Sequence, residues 1–274
     1  MLAISSLLAR PYPLLRRVEA AHAVMNQQAQ RLASARRING AADDAAGLGV
    51  AERLSAQARG LMVAQRGLQD GRSMVSTADG ALGQVSQSLQ RMRELAVQAG
   101  NGTLAPRDAQ ALHAEYRQLG EQVQQVLGGT RFNGRRVLAD DAGPMSFPAG
   151  ASPQDTLTIT THNLRADTDI TAASGASVSS SAGARQAVEH IDRALGRVGQ
   201  QRAVLGAGHS RLQAAAEQMD SQYQATATSH SRLVDTDFAQ TASLLASSKT
   251  AHYAAIAMLA KSNAAPRALL SLLA

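Results

Sequence analysis

Apolar side chains recur at heptad spacing in two long stretches of this chain, one in each half. In the N-terminal half, an apolar residue occupies every seventh position, and a second small or apolar residue follows three places later. The two columns are Leu54, Leu61, Leu68, Val75, Leu82, Leu89 and Ala96, and then Ala64, Gly71, Ala78, Val85, Met92 and Ala99. A heptad sustained over this length predicts a coiled-coil helix.

The C-terminal half carries a matching pattern. Its two columns are Val188, Leu195, Ala216 and Tyr223, and Ile191, Val198, Leu205, Leu212, Met219 and Leu233. Neither half can bury its apolar stripe alone, so the two long helices are predicted to pair along a common seam. The seam residues that we single out are Leu61, Leu68, Leu82, Leu89, Ile191, Leu195, Leu205 and Leu212.

Prolines, glycines and acidic residues indicate where the helices of the N-terminal half start and end. The sequence Pro11-Tyr12-Pro13 predicts that the first helix starts at or after Leu14, because proline lacks a backbone donor. Asp43 and Asp44 suit the start of the long helix, which the heptads extend to Ala99. Gly100-Asn101-Gly102 ends it, and a further helix is predicted after Thr103. So short a break makes these two helices antiparallel neighbours.

The middle of the chain changes character. Asn133-Gly134 predicts a tight hairpin, and the alternation at residues 157–160 predicts a small strand element with loops within 139–183. The second long helix is predicted from about Ala184 to about Val234. The remaining residues are helical in pattern to Asn263, before Pro266 and a Leu-rich end. The fold class predicted is mainly α, an elongated helical bundle with a small β-hairpin element.

Composition supports a bundle of helices. Only 3% of the 274 residues are aromatic and Trp is absent, whereas 45% are hydrophobic, mostly Ala and Leu. Small and medium side chains of this kind fill helix seams but do not build a thick globular core. Cysteine is also absent, which excludes disulfides and thiolate metal sites.

The charge of +6 comes almost entirely from arginine, since Lys249 and Lys261 are the only lysines. The arginines are mixed with acids and seam residues rather than clustered with aromatics, so a nucleic-acid partner is not favoured. The first apolar residues precede the first arginines, the reverse of a secretory signal. No apolar run approaches the roughly 20 residues that span a bilayer. Export would therefore require another signal.

Catalytic and metal-binding patterns are not evident. Asp43 and Asp44 are adjacent, so on a helix their carboxylates would point about 100° apart rather than at one substrate atom. The seven histidines are scattered; His209 and His230 fall in seam columns too far apart to share a metal. Phosphate loops, nucleophile elbows and zinc-protease motifs are missing. We therefore predict a protein that is not an enzyme and has no cofactor or metal.

Several long motifs resemble those of bacterial flagellins. Residues 31–48 resemble the family's N-terminal signature, and residues 89–103 its second signature. Arg131-Phe132-Asn133-Gly134 is similar to the hairpin entry. Residues 231–239 and 266–273 are similar to the start and the finish of the family's terminal module. The chain is thus identified by resemblance as a flagellin. Pro11, Pro13 and residues 249–253 depart from the family's usual pattern, as they would in a divergent or minor flagellin.

The resemblance implies a structural subunit that polymerises into the flagellar filament and serves swimming motility. It implies an inner coiled-coil domain of residues 1–43 with 236–274, a central helical domain of 44–138 with 184–235, and a short variable outer region, 139–183. The implied partners are further copies of the chain, an export chaperone, and cap and junction proteins. The implied location is extracellular, reached through the flagellar secretion apparatus without a cleaved signal peptide.

The resemblance also implies a contact surface. Gln90, Arg91, Leu95, Gln98 and Glu115 match, position by position, a flagellin patch that contacts neighbouring subunits and is recognised by Toll-like receptor 5. Ordinary solvated helix positions are the simpler reading of these residues. Packing within the filament is the interpretation that the match of residue types favours, and recognition by the receptor is a further hypothesis.

Three other classes of protein share some of these features. A hook–filament junction protein has a similar N-terminal pattern, but the Leu-rich finish and the hairpin favour flagellin. A surface-displayed flagellin relative used for adhesion would need a larger middle than residues 139–183. A signalling coiled coil would lack the Phe-Asn-Gly hairpin and should carry a membrane span or a sensor domain.

Overall fold

A computed structural model describes residues 11–152 and 154–273. In these residues it contains six helices and two sheets of two antiparallel strands. The helices are α1 (Pro11–Ser34), α2 (Ala45–Ala99), α3 (Pro106–Gly129), α4 (Thr168–Gly175), α5 (Ser181–Val234) and α6 (Phe238–Leu273). The strands are β1 (Arg131–Phe132), β2 (Arg135–Arg136), β3 (Pro144–Pro148) and β4 (Thr156–Thr160). The predicted mainly-α class with a small hairpin is confirmed.

The chain divides into two compact units. The central unit comprises residues 57–224, and the terminal unit comprises the residues up to 56 together with those from 225 onward. The terminal unit is thus assembled from both ends of the sequence, and the central unit from its middle. The three-part division predicted from the sequence stays a prediction.

In the central unit, α2 and α5 run antiparallel. Arg93 Nε donates to Asp192 Oδ1 at 2.7 Å, and Arg202 Nε donates to Asp79 Oδ1 at 2.8 Å. Residue numbers that rise along α5 are therefore paired with residue numbers that fall along α2, as expected for antiparallel helices. The two heptad helices share one seam, as their patterns predicted.

The seam forms the core of the central unit. Seven of the eight predicted seam residues are at most 1% exposed, and Leu195 packs against them while partly buried. They are Leu61, Leu68, Leu82, Leu89, Ile191, Leu205 and Leu212. Full burial of each such side chain contributes roughly 1.5–3 kcal/mol. The continuous hydrophobic core accordingly lies within the central unit.

Helix α3 returns along α2 after a short break. The Gly100 amide donates to the Ala96 carbonyl at 3.0 Å and closes α2, and Asp108 lies in the first turn of α3. Tyr116 is fully buried on α3, and its hydroxyl donates to the Ala173 carbonyl of α4 at 2.6 Å. Burial raises the pKa of this hydroxyl above its usual range.

The Asn-Gly hairpin forms as predicted. Asn133 and Gly134 have φ angles of 47° and 81°, the left-handed values that a two-residue type I′ turn requires. Phe132 pairs with Arg135, and Arg131 with Arg136. The turn thus fixes the register of β1 against β2.

Residues 139–183 contain more structure than the sequence predicted. Strands β3 and β4 pair from Pro144–Thr160 to Pro148–Thr156, but a helix, α4, follows them where only loops and strand were expected. Asp167 begins this helix, since its carboxylate accepts from the amides of Asp169 and Ile170. Ile159, Leu164, Ile170 and Ala173 are buried in the same core as the long helices. This middle segment is therefore part of the packed central unit.

Helix ends follow the predicted chemistry in one place and not in two others. Asp44 Oδ1 accepts from the Gly47 amide at 2.8 Å at the start of α2, which confirms the acidic helix start. The prediction that the first helix starts at or after Leu14 was wrong, because α1 already includes Pro11 and Pro13. Proline is tolerated in a first turn, where amides need no helical acceptor. Helix α6 also continues through Pro266 to Leu273, in a segment rich in the helix-favouring Ala and Leu.

In the terminal unit, α1 packs against α6. The segment that follows α1 is hydrogen-bonded to the segment that precedes α6. The Arg37 amide donates to the Val234 carbonyl at 2.6 Å, and the Thr236 amide donates to the Ala35 carbonyl at 3.1 Å. Ala35 adopts a left-handed φ of 57° just after α1 ends. The beginning and the end of the described chain therefore lie side by side, as the sequence analysis predicted.

Candidate functional site

An ion-pair network on the surface of α2 and α3 contains two residues of the predicted contact patch, Arg91 and Glu115, together with the neighbouring Glu94. Arg91 donates from Nε and Nη2 to Glu115 Oε1 at 3.1 and 2.9 Å, and from Nη1 to Glu94 Oε2 at 3.0 Å. The hydrogen bonds that Arg91 donates to Glu94 and to Glu115, in that order of effect, raise the pKa of Arg91 above its ordinary value. The guanidinium is held in one orientation while about half its side chain remains exposed.

The other patch residues separate into two groups. Gln90 and Gln98 are exposed on α2, next to the ion-pair network in sequence. Leu95, in contrast, is 1% exposed and belongs to the hydrophobic core. In the described subunit Leu95 therefore lies beneath the patch rather than on its surface. The exposed part consists of Gln90, Arg91, Gln98 and Glu115.

Two further ion pairs on α2 were not predicted from the sequence. The carboxylate of Asp192 raises the pKa of Arg93, and that of Asp79 raises the pKa of Arg202, in both cases chiefly by a side-chain hydrogen bond. Both pairs join α2 to α5. Because the partners are far apart in the sequence and no heptad rule specifies them, only the fold reveals them.

The terminal helix pair has a different surface from the central unit. On α1 the least exposed positions recur at steps of four and three residues. They are Leu14, Val18, Ala21, Met25, Gln28 and Leu32. Helix α6 presents a stripe with the same spacing, consisting of Thr241, Leu245, Ser248, His252, Ala255 and Leu259. This spacing is that of a two-helix coiled-coil seam.

This terminal seam is polar at its most buried positions. Gln28, Thr241 and Ser248 are buried, whereas the leucines and Met25 of the same stripes remain only half-buried. Coiled-coil pairs gain most of their stability from fully buried apolar residues at these positions. The pair of helices α1 and α6 therefore gains much less from its own packing than the central unit does.

Large apolar side chains also remain exposed outside the seam of the terminal unit. On α1 they are Tyr12, Leu15 and Val24, and on α6 they are Phe238, Leu244, Tyr253, Ile256 and Met258. Tyr253 is 69% exposed and Met258 is 60% exposed. Apolar surface on both helices of a weakly packed pair is typical of a protein–protein contact surface.

The structure supports a small-molecule binding site less well than it supports a protein–protein contact surface. A cavity of about 260 Å³ lies between the segment after β4 and α5, lined by His162, Asp167, Arg197 and Gln201 among others. These four side chains already pair with one another, because His162 Nδ1 lies 2.7 Å from Gln201 Oε1 and Arg197 Nε lies 3.8 Å from Asp167 Oδ2. Across residues 11–152 and 154–273, no helix is both long and apolar enough to cross a membrane.

Paired end helices that both expose apolar side chains are typical of structural subunits that associate through their ends. The comparisons with known proteins specify which. The model of the bacterial flagellin N-terminal helical region matches residues 11–142, and that of the C-terminal helical region matches residues 188–273. The chain therefore belongs to the bacterial flagellin family.

Individual relatives agree with this assignment. A flagellin of Halalkalibacterium halodurans is 36% identical over 244 residues, which cover 89% of this chain and 90% of the relative. A flagellin of Listeria monocytogenes is 35% identical over 264 residues, which cover 91% and 92%. Polar flagellin C of Vibrio parahaemolyticus is 41% identical over 143 residues, but these cover 37% of that longer protein.

Solved structures show the same fold. The crystal structure of Bacillus cereus flagellin aligns with a TM-score of 0.51 at 30% identity and covers 56% of this chain and 88% of that one. A protein described as a flagellar hook-associated protein from Vibrio parahaemolyticus aligns with a TM-score of 0.59 at 13% identity, over 70% of this chain. At that identity the second likeness concerns the fold alone.

Proposed function

We propose that this chain is a structural subunit that polymerises into a bacterial flagellar filament and thereby serves swimming motility. The single observation that carries the proposal is the terminal helix pair, which leaves apolar side chains exposed on both α1 and α6. Membership in the flagellin family at both ends of the chain agrees with it. The role is structural, and we propose no catalytic activity.

Polymerisation follows from the physics of such a surface. Leu244, Ile256 and Met258 are 46%, 43% and 60% exposed, so a neighbouring subunit that buries the rest of each side chain adds about half of the roughly 1.5–3 kcal/mol that full burial contributes. When one patch of a subunit binds a different patch on the next and the rotation does not close a ring, the product is an open helical filament. Several modest contacts per subunit then stabilise a long polymer.

The finer organisation is part of the proposal. Residues 1–43 with 236–274 would form the inner layer of the filament, 44–138 with 184–235 the central layer, and 139–183 a short outer region. The burial of Ile159 and Ile170 in the central core argues for a small outer region. It also leaves little free surface there for the adhesion function considered above.

The exposed patch residues Gln90, Arg91, Gln98 and Glu115 would contact a neighbouring subunit in the filament. The orientation of Arg91 by two carboxylates supports this role, because a fixed guanidinium loses less side-chain entropy on binding. Toll-like receptor 5 would recognise the same surface on a free subunit. Leu95 would contribute indirectly, by packing beneath the patch.

Export and accessory partners complete the proposal. The subunit would reach the extracellular flagellum through the flagellar secretion apparatus without a cleaved signal peptide, escorted by an export chaperone. It would then contact cap and junction proteins as well as other copies of itself. The family assignment supports these partners; a junction protein, the alternative raised by the sequence, has no better support.

A seeded assembly experiment tests the proposal. The purified full-length chain is mixed with short filament fragments, and the products are viewed by electron microscopy and pelleted by centrifugation. We expect extension of the seeds into filaments by the unaltered chain. Ile256→Asp and Met258→Asp, which place charges on the exposed apolar surface of α6, should reduce extension strongly.

The matched control is Ser247→Asp, an exposed polar position on the same helix. It should extend seeds almost as well as the unaltered chain. Failure of the unaltered chain to extend any seed, or equal extension by all the variants, would contradict the proposal.

A further inference from the structure

Two histidines from opposite ends of the sequence meet in the terminal unit. The ring centres of His22 on α1 and His252 on α6 are 5.2 Å apart, with the ring planes inclined at 37°. His252 occupies the seam stripe of α6 and is half-buried, whereas His22 is exposed at the edge of α1. Sequence spacing gives no indication of this pair.

One ring nitrogen of the pair lacks a hydrogen-bond partner. Nδ1 of His252 is buried and has no hydrogen-bond partner among the residues that the structure describes. A buried imidazole nitrogen without a partner is costly, because it has lost its hydrogen bond to water. An electron-pair acceptor at this position would offset that cost.

The distance between the rings suits a shared metal ion. A zinc ion bonds imidazole nitrogen at about 2.0–2.1 Å, and at a tetrahedral angle two such ligands place their ring centres roughly 5 Å apart. The observed separation of the ring centres, 5.2 Å, matches this value. Imidazole is also the ligand that zinc, nickel and copper ions favour in proteins, whereas magnesium favours oxygen.

We propose that His22 and His252 form a binding site for a divalent transition-metal ion that links the first and last helices of the chain. No third His, Cys, Asp or Glu joins them within the described residues, so water completes the coordination. Each imidazole binds the ion through the electron pair of a ring nitrogen that carries no proton. Because the ion binds only the paired helices, it stabilises the pairing of α1 with α6.

The experiment measures bound metal on the full-length chain, both free and in sedimented filaments. Protein treated with a chelator is dialysed against zinc chloride or magnesium chloride, and the metal retained per chain is determined by elemental analysis. We expect about one zinc ion per chain in at least one of the two forms and no corresponding uptake of magnesium. His22→Gln and His252→Gln should each abolish this uptake.

The matched control is His230→Gln, a half-buried histidine of the same unit, which should bind zinc as the unaltered chain does. A second measurement does not depend on the variants folding: copper bound to the unaltered chain should show coupling to two imidazole nitrogens in its electron paramagnetic resonance spectrum. Zinc uptake that survives both His22→Gln and His252→Gln, or absence of uptake in both forms of the unaltered chain, would overturn the proposal.

Discussion

At the scale of single residues, the surface and the interior of the molecule place opposite demands on polar groups. Arg91 is half-exposed and still held by two carboxylates, whereas the hydroxyl of Tyr116 is buried and satisfied by one backbone carbonyl. Exposed ion pairs contribute little to stability, but buried hydrogen bonds are costly to break. Arg91 therefore contributes little to stability, whereas the hydroxyl of Tyr116 contributes to it.

Replacement of Arg91 tests the contact patch. Arg91→Ala should leave the thermal midpoint of the protein nearly unchanged, because the ion pairs it removes are exposed. It should lower the potency of the free subunit in a Toll-like receptor 5 reporter assay by about tenfold or more, as expected for an arginine at the centre of an interface. Arg117→Ala is the matched control, since Arg117 forms a similarly exposed ion pair with Glu121 on α3. Equal responses from the two variants would refute the assignment of the patch.

Replacement of Tyr116 tests the buried hydrogen bond between α3 and α4. Tyr116→Phe removes one of the two hydrogen bonds that the Ala173 carbonyl accepts, the other coming from the Ala176 amide at 3.4 Å, so the free energy of unfolding should fall by about 0.5–1.5 kcal/mol. Tyr223→Phe, at a half-buried tyrosine of the same unit, should cost less. The measurement is chemical denaturation followed by circular dichroism. An unchanged stability of Tyr116→Phe would contradict the role of this bond.

The pKa of Tyr116 predicts a dependence on alkaline pH. Because the pKa is raised in the folded state, the unfolded chain loses the phenolic proton first as the pH rises above about 10. The contribution of Tyr116 to stability is therefore complete below that pH and declines above it. Tyr116→Phe should lack this part of the decline, and Tyr223→Phe should retain it. Identical alkaline profiles for the two variants would argue against a shifted pKa.

The histidine pair shows the limit of sequence analysis at this scale. The sequence pattern predicts that His252 lies on a helix, but it does not predict which residue of α1 faces His252. The same is true of Arg93 and Asp192, which are 99 residues apart. Such pairs depend on the register between two helices, and a repeating pattern of similar side chains leaves that register undetermined.

At the scale of secondary-structure elements, periodic segments were predictable and aperiodic ones were not. The seam pattern located α2 and α5 to within a few residues, because many equivalent positions report the same helix. Helix α4 was missed because its eight residues are Thr, Asp, Ile, Ala, Ser and Gly without a repeating apolar face. Its stability depends on Ile170 and Ala173 entering a core that other elements build.

A charge placed in the seam tests the element pairing. Leu89 is fully buried, so Leu89→Asp should lower the free energy of unfolding by about 3 kcal/mol or more and prevent assembly. Gln87→Asp is the matched control, because it adds the same charge at an exposed position on the same helix. Thermal unfolding and seeded extension provide the two readouts. Normal stability and normal filaments from Leu89→Asp would show that the seam register is wrong.

At the scale of the whole molecule, the two units differ in how much of their stability comes from packing within the subunit. The central unit contains the continuous apolar core, while the terminal unit combines a polar seam with exposed apolar side chains. Helices without a well-packed partner scarcely offset the conformational entropy lost on ordering, because most helix stability in proteins comes from the packing of an apolar face. We therefore expect α1 and α6 to be ordered mainly when neighbouring subunits cover them, whereas the central unit folds in the free chain.

The lysines allow this expectation to be measured directly, because both of them, Lys249 and Lys261, lie on α6. A lysine-specific protease can therefore cut the unaltered chain only in that helix, and cutting inside a helix requires local unfolding. Arg93→Lys, which keeps the charge, adds a site on α2 in the central unit as an internal control. Cleavage is followed by mass spectrometry in free subunits and in filaments. Rapid cleavage at Lys249 and Lys261 in the free chain, with strong protection in filaments and slow cleavage at position 93 in both, is the result expected. Equal resistance of Lys249 and Lys261 in the free chain and in filaments would contradict the central claim that assembly orders the terminal helices.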